Sequence, residues 1–516
     1  MLFTSLSFIL FLALLFAVYY IVPYRFRWAL LLVFSGIFYA FAGVVGFIFI
    51  GITIITTYAA ARFIGSIHTA QSEYLKNNKD ISRQEKKAYK EHSKKKMRIF
   101  LVPCLIVNFG ILALLKYILV GRGFIGTDLL LPMGISFYTF QTMGYIIDVY
   151  RGKVIAEKNI FKMALFTSYF PLLVQGPISD YKKLSETLYT PVPFSGKNFL
   201  FGFERVLWGY FKKLVIADRL LAAVSTIIGL PSEFSGAYAL LGMILYAIQL
   251  HADFTGGIDI TIGISQMLGI RLQENFDRPY FSKNITEYWR RWHISLGEWF
   301  KEYLFYPVSV AKPMLKLSKF SRDHFGDAVG KRIPVYISTI FVWFTTGVWH
   351  GRGLNFIVWG LGNCVIILIS QELSPLYKRF HNRFPSLKAT VPYKSFEILR
   401  TIFILSSLRM LDCYRDVPLT FRMFASIFTG GKYLEMLKGG FLELGITAAD
   451  YVIVLIAVII VFSTSMLQRK GSIRERLFRR PAVVQCAVIA LLLIAIIIFG
   501  AYGVGYDSSQ FIYNQF

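Results

Sequence analysis

The chain has 516 residues, of which 55% are hydrophobic and only 17% charged, where an ordinary soluble domain carries about 25% charged residues. Its 56 Lys and Arg outnumber its 30 Asp and Glu, giving a formal net charge of +26. These figures exclude a disordered chain and argue against a soluble multidomain enzyme, and the placement of the basic residues decides whether nucleic acid is a partner.

A bilayer is crossed by about 20 mainly apolar residues. Phe3 to Val22 is such a run. It lacks a basic start and a small-residue cleavage site, so it reads as a retained first helix, not a removed leader. Trp28–Phe41 with its flank, Val45–Ala61 and Ile99–Leu119 follow. Next come Phe199–Leu230 (interrupted), Ala237–Leu250, Ile333–Trp349 and Leu354–Ile369. Phe396–Leu411, Tyr451–Met466 and Ala482–Ala501 complete the set. Leu129–Tyr150 and Phe166–Pro177 are apolar but broken by Gly and Pro, and such pieces are tolerated at membrane depth only inside protein or beside a cavity. The pattern predicts an all-α polytopic membrane protein with about eleven spans and re-entrant pieces. Its membrane domain covers 1–500, and a short tail covers 501–516.

Basic residues concentrate in three segments: the loop 64–98, Lys378–Lys394 and Gln468–Arg480. The positive-inside rule places all three in the cytoplasm. Three spans precede the first segment and one follows the last, so both termini are expected outside. The charge excess thus reads as orientation and contact with anionic lipid. No folded basic face with stacking aromatics is apparent, so nucleic acid is not an expected partner.

The four cysteines are scattered with no C-x-x-C spacing, so neither a disulfide framework nor a zinc cluster is expected. No Walker loop and no dinucleotide-binding glycine pattern occurs.

Three histidines, His251, His293 and His350, lie in apolar surroundings, where an ionisable group suggests function. His350 ends the run Thr346-Gly-Val-Trp-His350-Gly351. An imidazole there suits a general base, the alternative being a buried ring bonded to a backbone carbonyl. Around His293, Asn284 and Glu287 have the capping-box spacing, which predicts a helix start. Glu287 can pair with Arg290 or Arg291. Trp289 and His293 then share a helical face. Two readings remain open for this helix: an interfacial anchor, or a basic, aromatic entrance for coenzyme A formed by Trp289, Arg290 and Arg291. In His251-Ala-Asp253 through Asp259 the carboxylates are six residues apart. They do not share one helical face, so Asp253 is expected to line a cavity and no metal site is expected.

Several segments together resemble the membrane-bound O-acyltransferase (MBOAT) family. They resemble most its bacterial branch of alginate O-acetylation and lipoteichoic acid D-alanylation proteins. The matching segments are Leu131 to Arg151, Phe170 to Pro177, Asp253 to Asp259, Asn275-Phe-Asp-Arg-Pro-Tyr280, Trp289 to His293, and Gly347-Val-Trp-His-Gly351. The resemblance implies an eleven-helix core with peripheral helices around a central funnel, and a catalytic region within 251–360. It implies that His350 is the catalytic histidine and His293 the second of a pair. The last residues, Phe511-Ile-Tyr-Asn-Gln-Phe516, are similar to a terminal aromatic motif of the branch, which makes Tyr513 a candidate acyl carrier. Asn514 stands where the family often has an aromatic residue.

The expected function is transfer of an acetyl group from cytoplasmic acetyl-CoA, with no tightly bound cofactor, to a polysaccharide outside a bacterial cytoplasmic membrane. The expected partners are the lipid bilayer and a secreted or membrane-anchored acetyltransferase. Asn355 and His293 are candidates for stabilising the oxyanion. The rival within the family is D-alanyl transfer from a carrier protein. A rival of another class is a transporter, which would show internal repeats that are not evident here.

Overall fold

The computed structural model of the chain describes residues 3–119, 123–124, 127–128, 132–190 and 192–502. Tyr513 and the rest of the terminal motif lie outside the described residues.

Each of the eleven apolar runs falls in a helical stretch. Six helices are long and apolar enough to cross a membrane: Gly46–Asn77, Arg83–Ile118, Ala237–Met267, Leu354–Glu372, Ala448–Gln468 and Ala482–Phe499. Leu6–Ile21, Ile160–Gln175 and Val417–Thr429 are apolar but shorter. Asp327–His350 and Val391–Tyr414 have 24 residues each, roughly 36 Å at 1.5 Å per residue, and mix polar with apolar side chains. The chain is an all-α, multi-pass membrane protein.

The basic segment 64–98 departs from expectation, because it is not a loop. The helices Gly46–Asn77 and Arg83–Ala113 run on past their apolar stretches and form a hairpin turning at 78–82. Lys, Glu, Gln and Ala propagate helix well, and no breaker lies between Ser66 and Asn77. Ser82 and Glu85 restart the chain with a reciprocal capping box, and Tyr74 stacks on Tyr89 at 3.9 Å between ring centres.

The chain forms two compact units. The first comprises Met1–Gly202 with Thr261–Gln273. Its core is aromatic: Phe38 and Phe11 pack against Phe170 at 5.4 and 5.3 Å. Phe170 opens a buried six-residue helix, Phe170–Gln175, inside the Pro-broken stretch. The Thr261 hydroxyl faces the Pro171 and Gln175 carbonyls at 3.0 and 2.8 Å. That contact satisfies backbone groups which a broken helix would otherwise leave bare.

The second unit comprises Phe203–Ile260 with Glu274–Phe516. Here Asp327–His350 packs on Leu354–Glu372 through glycine. A Cβ on Gly347 would lie 2.5 Å from the Phe356 carbonyl oxygen, and one on Gly360 would collide with the Trp343 carbonyl. Small residues at such crossings let helix backbones approach closely. The interrupted run 199–230 is one continuous helical path whose middle, Phe211–Ala217, widens into a π-helical turn.

Candidate active site

His350 is the last residue of the helix Asp327–His350 and is buried. The Trp349 ring lies 4.9 Å from it, and the Trp359 ring meets it nearly edge-on at 4.7 Å. Trp349 also lies 6.1 Å from the His293 ring. One indole therefore neighbours both imidazoles, and the two predicted histidines converge.

His293 does not share a helical face with Trp289. The helix begun by Asn284, whose side chain accepts the Glu287 N–H at 2.9 Å, stops at Arg291. His293 has φ +50° and opens a second helix, Ile294–Phe300. A left-handed conformation in a residue with a Cβ is strained, and it persists only where its surroundings hold it. The segment Asn275–Asp277, where Phe276 bridges antiparallel to Trp292, supplies that hold. Asp277 N–H donates to the Arg291 carbonyl at 2.9 Å, and Ile294 N–H to the Asn275 carbonyl at 3.0 Å. Ser295 donates its N–H and hydroxyl to the Asn275 side-chain oxygen at 3.0 and 2.9 Å.

Aromatic rings wall this site. Phe254 meets the His293 ring at 5.0 Å, and Trp289, Trp343 and Trp359 pack edge to face. In this setting His293, which lies outside every spanning helix, has its imidazole pushed down to about 3, by burial first and by the Arg409 charge second. It is a neutral ring at physiological pH.

Arg409 was not foreseen. Buried in Val391–Tyr414, it pairs with Asp412 at 2.7 Å. Its guanidinium lies over the rings of Trp359, Trp292 and Trp289 at 4.8, 5.5 and 5.6 Å. The signal was available, since an arginine inside an apolar run demands a partner.

The residues assigned to a donor do not face one space. The Trp289 Nε1–H donates to Asn363 at 3.1 Å within the aromatic cluster. Arg290 is exposed. Arg291 pairs with Glu287 at 2.6 Å and borders a cavity. Asn355 is buried and its amide donates to the Leu411 carbonyl at 3.0 Å. Asp253 is fully buried and pairs with Lys213 at 2.6 Å, where a place on a cavity wall was expected. Lys213 also meets Asp218 at 2.7 Å, while Lys212 and Arg205 take Asp259 at 2.6 and 2.8 Å. His251 packs on Tyr280 at 4.8 Å and borders the same cavity as Arg291. Among the described residues no cluster of three or more His, Cys, Asp or Glu is placed to hold a metal.

Residues 155–322 match the profile of the MBOAT, membrane-bound O-acyltransferase family. The match includes His293 and ends before His350. The chain is 36% identical over 269 residues to the probable alginate O-acetylase AlgI of Pseudomonas aeruginosa, covering 52% of this chain and 48% of that protein. It is 29% identical over 341 residues to the peptidoglycan O-acetyltransferase of Helicobacter pylori, covering 59% and 62%. It is 27% identical over 271 residues to the teichoic acid D-alanyltransferase of Bacillus subtilis, covering 50% and 65%. The chain thus spans about half the length of the alginate relatives it matches. The resemblance read from the motifs is borne out.

Proposed function

We propose that the chain is an O-acyltransferase of a bacterial cytoplasmic membrane. It takes an acetyl group from acetyl-CoA on the cytoplasmic side and passes it on for O-acetylation of a polysaccharide outside. The observation that carries this reading is the convergence of His293 and His350 on Trp349 in a buried aromatic basin. The names of the relatives support it.

In this reading His350 is the general base. A hydroxyl is a weak nucleophile while protonated, and a tyrosine hydroxyl has a pKa of about 10. His350 takes the proton as the hydroxyl oxygen bonds to the thioester carbonyl carbon. The tetrahedral intermediate then collapses and expels the coenzyme A thiolate, which takes the proton back from the imidazolium. The carbonyls at the end of the His350 helix stabilise the positive charge that the ring carries meanwhile. His293 stays neutral and orients by hydrogen bonding. Arg290, exposed at the end of its short helix, meets the phosphates of the donor, and Trp289 supports the basin. The accepting hydroxyl is that of Tyr513, on an outer C-terminal tail, and a secreted or membrane-anchored acetyltransferase carries the group to the glycan.

The test is the acetyl content of extracellular and wall polysaccharide in cells carrying His350→Ala at wild-type membrane levels. Loss of acetyl is expected, and normal acetylation refutes the assignment. Wild-type acetylation in Tyr513→Phe cells removes the carrier role. The Bacillus relative favours D-alanyl transfer as a second reading. Release of free coenzyme A from labelled acetyl-CoA by the purified protein separates the two, because the D-alanyl reaction draws on a carrier protein.

A further inference from the structure

The second unit contains a cavity of about 1190 Å³ that the acyl-transfer reading does not use. Its lining combines two chemistries. Part of the wall is formed by Val458, Val461 and Phe462 of Ala448–Gln468 and by Ile398, Leu399 and Ile402 of Val391–Tyr414. Leu399 is 64% and Phe462 55% exposed, so this apolar wall runs on into the surface that a bilayer covers. The lining also carries Lys283, Lys394 and Arg469. Lys394 stands in the first turn of one wall helix and Arg469 caps the other.

Charge balance separates these three from their neighbours. Arg291 is matched by Glu287 at 2.6 Å, Arg278 by Asp277 at 2.9 Å and Lys212 by Asp259 at 2.6 Å. Among the described residues no carboxylate pairs with Lys283, Lys394 or Arg469. Lys394, whose ammonium donates to the Ala389 carbonyl at 2.7 Å, and Arg469 stand at the ends of two long helices, and Lys283 lies just before Ile285–Arg291. Cations without a carboxylate partner beside an apolar slot open to lipid form a site for an amphiphile with an anionic head. The volume exceeds the usual 300–1,000 Å³ of a small-molecule pocket, which leaves room for a headgroup and the first part of two acyl chains.

We propose that this cavity binds one anionic phospholipid of the cytoplasmic leaflet. Its phosphate sits among Lys283, Lys394 and Arg469, and its chains lie along Ile398, Ile402, Val458 and Val461. Coenzyme A suits the cavity less, because its polar nucleotide would lie against walls that face lipid. A zwitterionic lipid brings its own cation and leaves the three unmatched. The leaflet follows from the positive-inside rule, since Lys394 and Arg469 belong to two of the basic clusters.

The test uses the purified full chain in neutral detergent, with phosphatidylglycerol and phosphatidylcholine added and retention measured by native mass spectrometry. Wild type is expected to retain one phosphatidylglycerol and to discriminate against phosphatidylcholine. The triple variant Lys283→Gln, Lys394→Gln, Arg469→Gln should lower retention by at least about tenfold, with its lipid-free unfolding temperature unchanged. Val461→Trp, which fills the slot without altering charge, should lower it as well. His350→Ala should retain the lipid fully, so failure of the acyl-transfer reading leaves this proposal standing. Equal retention of the two lipids, or undiminished retention by either cavity variant, overturns it. Displacement of the lipid by inorganic phosphate or by coenzyme A overturns it too, by assigning the cations to a soluble ligand.

Discussion

Around Lys212 and Lys213 the second unit buries cations against carboxylates. Lys213 lies between Asp218 and Asp253, Lys212 against Asp259, and Arg205 between Asp259 and Glu274. Around Arg409 it uses one carboxylate, Asp412, and the faces of three tryptophans. In the first arrangement each cation has a carboxylate partner, and the π-helical turn at Phe211–Ala217 lets adjacent lysines reach carboxylates six residues apart. The second sets the His293 and His350 rings in a buried aromatic basin, with the His293 backbone held at positive φ. Buried ion pairs often contribute little net stability, but removing one partner exposes their full desolvation cost. Under the proposed function the carboxylate region is scaffold and the aromatic one the place for chemistry, and substitutions in the two regions test that division.

The sharpest break between the two is His350→Ala. It should lower acetyl transfer by about 10²–10⁴-fold, the usual range for a lost general base, with little change in unfolding temperature. A matching loss of stability would make His350 scaffold. Lys213→Ala should do the opposite. It strands Asp218 and Asp253 in the interior, a loss of about 3–5 kcal/mol, read as a fall in folded protein after extraction. If this variant is stable but inactive, the scaffold assignment fails.

Smaller effects follow. Gly347→Ala places a methyl against the Phe356 carbonyl and should destabilise by about 1–3 kcal/mol, while also displacing His350 three residues later. Activity should therefore fall more than the unfolding temperature predicts. Arg409→Lys keeps the pair with Asp412 but loses the planar guanidinium over the tryptophans, about 1–2 kcal/mol. Acetyl transfer at saturating donor should fall with it if the tryptophans position His350 through Trp359. Unchanged turnover would confine Arg409 to stability.

Some of the candidate site was legible. His350 and His293 were readable because an ionisable residue in apolar sequence is costly enough to need a reason, and Asn284 as a cap because its spacing to Glu287 is local. Arg409 carried the same signal as the histidines but was absorbed into a span. The position of His293 was misread, because nothing in Trp289–His293 itself breaks a helix. The break is imposed from Asn275–Asp277, whose backbone takes hydrogen bonds that a continuous helix would keep. The donor set Trp289, Arg290 and Arg291 was grouped by adjacency, yet consecutive helical residues point about 100° apart, and they face a tryptophan cluster, solvent and a cavity.

The amino-acid order settled what depends on nearest neighbours and on the medium. It set which runs are apolar enough to enter a membrane, which segments are too basic to cross it, and where Ser82, Asn284 and Thr447 start helices. Packing settled what depends on residues far apart in the chain. It brought Asp253 to Lys213 beside the nearby Asp218, put Arg409 under tryptophans 50 to 120 positions earlier, and turned His293 toward the indole beside His350. Helical periodicity and hydropathy act within a turn or along a span, whereas a buried charge takes its partner from whichever helix the close glycine crossings bring against it.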